Sequence, residues 1–144
     1  MYETLEITRD GGVATLWMNR PEVHNAFNEQ LIADLTAACA ALDADASVRV
    51  LVLAGRGKSF SAGADLAWMQ RAGEASEDDN LADARKLAAM LRTLAGMGKP
   101  TIARVHGAAL GGGMGLAAAC DICIASTAAL FATSEVRFGI IPSA

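Results

Sequence analysis

TIARVHGAALGGGMGLAAACD, residues 101–121, joins a strand to a helix through five glycines. Ile102 and Val105 sit in an apolar, β-branched run that reads as a strand. It opens into glycines at 107, 111, 112, 113 and 115, and a helix of small residues, Leu116 to Ala119, follows. A strand that delivers a glycine-rich turn to a helix N-terminus aims several backbone N–H groups one way, and the helix dipole adds partial positive charge there. Such a place suits a negative oxygen, either a phosphate or the oxyanion of an activated carbonyl.

Upstream, Leu5 to Thr8, Gly11-Gly12 and Val13 to Met18 read as a hairpin closed by a tight turn. Asn19-Arg20-Pro21 breaks the pattern. Asn28 to Ala44 spaces Leu31, Leu35, Cys39 and Leu42 as an amphipathic helix does. Val48 to Ala54 is a continuous apolar run suited to a strand buried on both faces. A second glycine-punctuated loop, Gly55 to Leu66, turns toward a helix. Ser76 and Asp79 form a capping pattern for a helix of about five turns with its apolar face at Leu81, Ala84, Leu87, Leu91 and Leu94. Downstream, Ile122 to Ser126 and Leu130 to Thr133 read as strands. Strands alternating with helices indicate an α/β fold, and no linker divides residues 1–144. The chain stops inside an apolar segment, Glu135 to Ala144, as though cut.

A hydrophobic content of 53% in 144 residues suffices for one domain with a real core. No apolar run reaches the roughly 18 residues of a membrane span, so no membrane partner is expected. The first residues carry Glu3 and Glu6 and lack a basic-then-apolar pattern, so no secretory signal is read. A net charge of −4 argues against a general nucleic-acid binder. Three cysteines, 39, 120 and 123, suggest a reducing compartment, so a cytoplasmic location is expected.

The two loops share one design, with Ala62-Gly63 in the first and Gly112-Gly113 in the second. Carried on neighbouring strands, they would let two N–H groups converge on one oxygen, and losing one such donor costs about 3 kcal/mol of transition-state stabilisation. The alternative is two ordinary turns in which glycine supplies positive φ. No phosphate-loop signature G-x-x-x-x-G-K-[ST] is present. Gly113-x-Gly115-x-x-Ala118 with Glu135 mimics a dinucleotide fingerprint, but the helix before Cys120 is too short for that unit. Cys120-Asp-Ile-Cys123 lacks a second pair or a nearby histidine, which favours buried small hydrophobes over a metal site. His24 and His106 are isolated, and His106 reads as structural. Ser59 and Ser61 form no G-x-S-x-G elbow. Glu135 lies among Phe131, Val136, Phe138 and Ile140, where desolvation would raise its pKa toward the range of a general base. The alternative is a surface pair with Arg137.

The stretches NRPEVHNAFN, GKSFSAGADL, HGAALGGGMGLAAACDICIA and FATSEVRFGIIP, in this order, resemble the crotonase family of enoyl-CoA hydratases and isomerases. The resemblance implies a ClpP/crotonase-like spiral core of repeated ββα units with the C-terminal helical part missing, since the family's usual chain is nearly twice as long. Those missing helices close the acyl pocket and build trimers, often paired into hexamers. It also implies a thioester oxygen held by the N–H groups of Ala62 and Gly112. Coenzyme A, carried as part of the substrate and not as a tightly bound cofactor, would lie along Ala62, Gly63, Ala64, Asp65 and Leu66. Val23 would form the other wall, and Lys58 would meet the phosphates. Of the family's two catalytic glutamates, one falls on Glu135 and the other on Gly115, which has no side chain. The implied activity is hydration of an enoyl-CoA with Glu135 as the single acid/base. GADLAWM, GGGMGLAAACD and SEVRFGIIPSA are similar to the branch acting on methylglutaconyl-CoA and related branched or carboxylated thioesters in leucine breakdown. Rival readings are an enoyl-CoA isomerase and a non-catalytic acyl-CoA binder.

Overall fold

The computed structural model describes residues 1–142. The last two residues of the SEVRFGIIPSA motif, Ser143 and Ala144, lie outside them. In chain order the elements are β1 (Leu5–Asp10), β2 (Val13–Met18), a 3-10 turn (Pro21–Val23), α1 (Glu29–Ala44), β3 (Val50–Gly55), α2 (Leu66–Glu74), α3 (Glu77–Ala95), β4 (Thr101–Val105), β5 (Ala108–Leu110), α4 (Gly112–Ala119), β6 (Ile122–Ala125), β7 (Leu130–Ala132) and a 3-10 turn (Ser134–Phe138). The main sheet runs β1-β2-β3-β4-β6, and β5 pairs with β7 in a second, two-stranded sheet. Among the described residues only β1–β2 is antiparallel, as its two-residue hairpin turn requires. The remaining pairs are parallel, with helical crossovers between them.

Local chemistry fixes most boundaries. The Asn28 side chain accepts from Leu31 N–H to open α1, and Ser76 accepts from Asp79 N–H to open α3. Asp121 accepts from Thr101 N–H while Thr101 Oγ1 accepts from Asp121 N–H, both at 2.9 Å, tying the end of α4 to the start of β4.

The core lies on one face of the main sheet. Leu16, Leu51, Leu53 and Ala103 are fully buried there in one cluster with Leu31, Leu35, Cys39 and Leu42 of α1 and Met90 and Leu94 of α3. Two expectations change. In α3 the buried residues are Met90 and Leu94, whereas Leu81 is half exposed, because only the C-terminal part of this helix packs inward. In β3 the alternate residues Val50 and Val52 are only half-buried, because among the described residues the helices of the core cluster pack on the other face of the sheet. Glycine patterning also concealed two features. α4 begins at Gly112, four residues before Leu116, and the segment before it forms β5.

Candidate active site

The segment between β2 and α1 clamps the first glycine loop. Asn25 is fully buried at φ +55°, a backbone state that asparagine tolerates better than most residues. Its Nδ2 donates to Arg56 O at 2.9 Å and Ser59 O at 3.0 Å, and its Oδ1 accepts from Arg20 N–H. Ser61 Oγ donates to Asn25 O at 2.9 Å and accepts from Gly63 N–H. Residues 24–27 then run alongside 62–65. Ala62 N–H donates to His24 O at 2.9 Å, Phe27 N–H to Gly63 O at 2.7 Å, and Asp65 N–H to Phe27 O at 2.8 Å.

Those bonds decide which amide is open. Ala62, Gly63 and Asp65 all donate within the protein, and among the described residues Ala64 N–H has no acceptor. Ala62 is therefore not the open donor of this loop, because its N–H is spent on His24 O, whereas Ala64, bridged beside Phe27, leaves the bonds to that residue to Gly63 O and Asp65 N–H. The open amide is that of Ala64.

The second loop is laced to the first. Ser61 N–H donates to Ala108 O and Leu110 N–H to Ser61 O, while Gly111 N–H donates to Ala132 O. Gly63 adopts φ +87°, and a β-carbon there would lie 2.7 Å from Leu110 O and 3.2 Å from Gly112 N, so only glycine permits this approach. Gly112 occupies the first position of α4, where an N–H has no intrahelical acceptor, and none is supplied among the described residues.

A cavity of about 710 Å³ opens over these amides. Val23, Ala62, Gly63, Ala64, Asp65, Leu66, Gly112 and Glu135 all line it, together with apolar Phe27, Met69, Leu87, Phe138 and Ile140. Glu135 stands on the 3-10 turn after β7 and packs against Gly111, so closely that a β-carbon on Gly111 (φ +53°) would collide with Glu135 Oε1. Among the described residues its Oε2 is buried without a hydrogen-bond partner, and no ion pair with Arg137 forms. Asp65, the other carboxylate of the lining, is engaged. It caps α2 by accepting from Trp68 N–H and pairs with Arg20 at 3.2 Å, both side chains largely buried. Burial works against the Asp65 charge, yet the Trp68 amide and the Arg20 guanidinium hold its carboxyl below the ordinary value.

Two expected residues stand apart from the cavity. Lys58 is exposed on the first loop beyond the lining, and Gly115 is buried within α4. His106 Nε2 lies 2.7 Å from Gly57 O, a structural bond of the kind expected. His24 lines the cavity, with Nδ1 3.1 Å from Ser59 Oγ. Cys120 is largely buried, and that burial pushes its thiol up to about 12, whereas Cys123 is exposed on β6 and not a buried hydrophobe as expected.

A sequence model of the enoyl-CoA hydratase/isomerase family matches residues 8–144. The chain belongs to that family. It is 45% identical over 141 residues to a Rhizobium meliloti (strain 1021) protein named "probable enoyl-CoA hydratase", covering 98% of this chain and 53% of that one. It is 38% identical to the crotonyl-CoA hydratase of Syntrophomonas wolfei, with 98% and 54% covered. The crystal structure of an enoyl-CoA hydratase from Shewanella pealeana superposes with a TM-score of 0.95 at 40% identity, over 99% of this chain and 54% of that one. The α/β architecture is thus the crotonase fold, and the chain spans about half the length of the relatives it matches. Among the described residues no helix is long and apolar enough to cross a membrane.

Sequence reasoning missed Ala64 as a donor and Asn25 as the clamp. Position 64 is marked only by its bridge to Phe27, and that pairing is non-local.

Proposed function

We propose that this chain hydrates an α,β-unsaturated acyl-CoA thioester. The observation that carries the reading is one cavity wall holding two unpartnered amides, Ala64 and Gly112, beside an unpartnered carboxylate oxygen of Glu135. The amides would accept the thioester oxygen, which gains charge as the enolate forms, and backbone donors fixed in place stabilise that charge without reorganising. Glu135 would take a proton from water as the water oxygen bonds to the β-carbon, and the double-bond electrons move onto the thioester oxygen. The resulting carboxylic acid would return that proton to the α-carbon, giving the 3-hydroxyacyl product. One residue closes this cycle, so the position at Gly115 can do without a carboxylate.

The apolar walls at Met69, Leu87, Phe138 and Ile140 support a short or branched acyl group, and Arg137 at the same cavity suits a carboxylated one. A single free carboxylate also favours a second reading, migration of the double bond between C2 and C4. Product analysis separates the two, because only hydration yields a 3-hydroxyacyl-CoA.

The deciding experiment replaces Glu135 by Gln and follows loss of the conjugated thioester of crotonyl-CoA. The expected result is a fall of about 10²–10⁴-fold in turnover with coenzyme A affinity unchanged. Full turnover in Glu135→Gln would remove the carboxylate from the mechanism.

A further inference from the structure

We propose that a second, smaller pocket, on the sheet face away from the core, is a phosphate-binding site. It has a volume of about 260 Å³ and is lined by Trp17, Ala54, Arg56, Gly57, Arg104 and His106 among others. It sits at the C-terminal ends of the parallel strands β2, β3 and β4, the end at which open α/β sheets take ligands.

Two guanidinium groups share one indole ring here. The Arg56 guanidinium carbon lies 3.8 Å from the Trp17 ring centroid and that of Arg104 lies 5.5 Å from it. Stacking on a ring face orients a guanidinium while leaving its N–H edge free. Two such cations held together repel unless an anion sits between or beside them. Glu6 answers Arg56, through bonds of 2.9 and 3.1 Å. Arg104 is exposed, and among the described residues no carboxylate pairs with it. In a chain of net charge −4, this concentration of cations over one aromatic plate is a local exception. Its donors suit a compact, multiply charged oxyanion, which a guanidinium edge binds through two parallel N–H bonds.

The phosphate could be free, or it could belong to the nucleotide end of the proposed thioester substrate, and in that form the inference rests on the hydration reading. The geometry allows both. A β-carbon on Gly57 would fall 2.7 Å from Pro21 Cβ, and Val23, at the other end of the same 3-10 turn, lines the acyl cavity. One short turn therefore separates the two pockets, and exposed Lys58 follows Gly57 on the shared loop.

The test is calorimetric titration of the full chain with sodium pyrophosphate at low ionic strength. Saturable binding is expected, weakened about tenfold or more in Arg104→Met, weakened less in Arg104→Lys, which keeps the charge and loses the bidentate edge, and unchanged in Arg85→Met on exposed α3. No saturable binding, or an Arg104→Met protein that binds as the parent does, would overturn the site. Titration with coenzyme A and with its analogue lacking the 3′-phosphate then identifies the source. If Arg104→Met weakens the first and not the second, the nucleotide end occupies the site. If pyrophosphate and coenzyme A bind without competing, the occupant is free phosphate. Crotonyl-CoA turnover by the parent chain reports separately on hydration, so either result can fail alone.

Discussion

The covered face of the main sheet and the stretch from β6 to the final 3-10 turn both carry large apolar side chains, with opposite fates. Leu16, Leu51, Leu53 and Ala103 lie at 0% exposure under α1 and α3. Ile124, Leu130, Val136 and Phe138 remain 60% exposed or more. All four residues of β6 are exposed, although it is hydrogen-bonded in register to β4. Pairing in a sheet therefore does not bury side chains; a layer packed on top does. The carboxylate of the candidate site belongs to the open stretch, whereas Phe27, Ala109 and Leu116, from the segments that carry or flank the amides of Ala64 and Gly112, are buried in the core cluster. Loops carried by a rigid scaffold are the usual home of chemistry.

The contrast is broken most sharply by Leu53→Ala. It should cost about 2–5 kcal/mol in urea unfolding, because its fully buried neighbours cannot collapse into the space. A loss below 1 kcal/mol would mean that the covered face is loosely packed.

Asp65→Asn, which keeps the capping oxygen and removes the ion pair with Arg20, should cost less, about 1–3 kcal/mol at neutral pH. The sign of its pH dependence follows from the lowered carboxyl of Asp65. A depressed carboxylate contributes fully above its unfolded value and loses that contribution as pH falls through the folded one. The gap between parent and variant should therefore be constant near neutrality and close below about pH 4. A gap that widens in acid would contradict the pairing.

Thiol reactivity sharpens the contrast without changing the sequence. Burial pushes both Cys39 and Cys120 up to about 12, and Cys123 is exposed. A disulfide reagent at mildly alkaline pH should label one thiol rapidly and the other two only on unfolding. Three equally fast thiols would show that the packed side opens readily.

The smallest effect is expected at Ile124→Ser, within about 0.5 kcal/mol, since its side chain is already 60% exposed. A cost of several kcal/mol would show that this stretch is covered in solution.

The amino-acid sequence by itself determined the hairpin, the apolar spacing of α1, the capped start of α3, the strand–glycine–helix order and the motifs that mark the family. Each depends on residues within a few positions of one another, where propensity, capping and turn chemistry act. Glu135 was legible too, as a carboxylate placed in an apolar run. Tertiary structure alone decided that the open amide is Ala64 and not Ala62, because which amides find acceptors depends on pairing with residues 24–27, some 37 positions away. It likewise decided that Cys123 faces outward, that Val50 and Val52 are half-covered, and that Arg56 and Arg104 meet on Trp17. Hydrophobicity states what a residue would gain by burial, but only the packing of distant elements settles which residues are covered and which donors stay free.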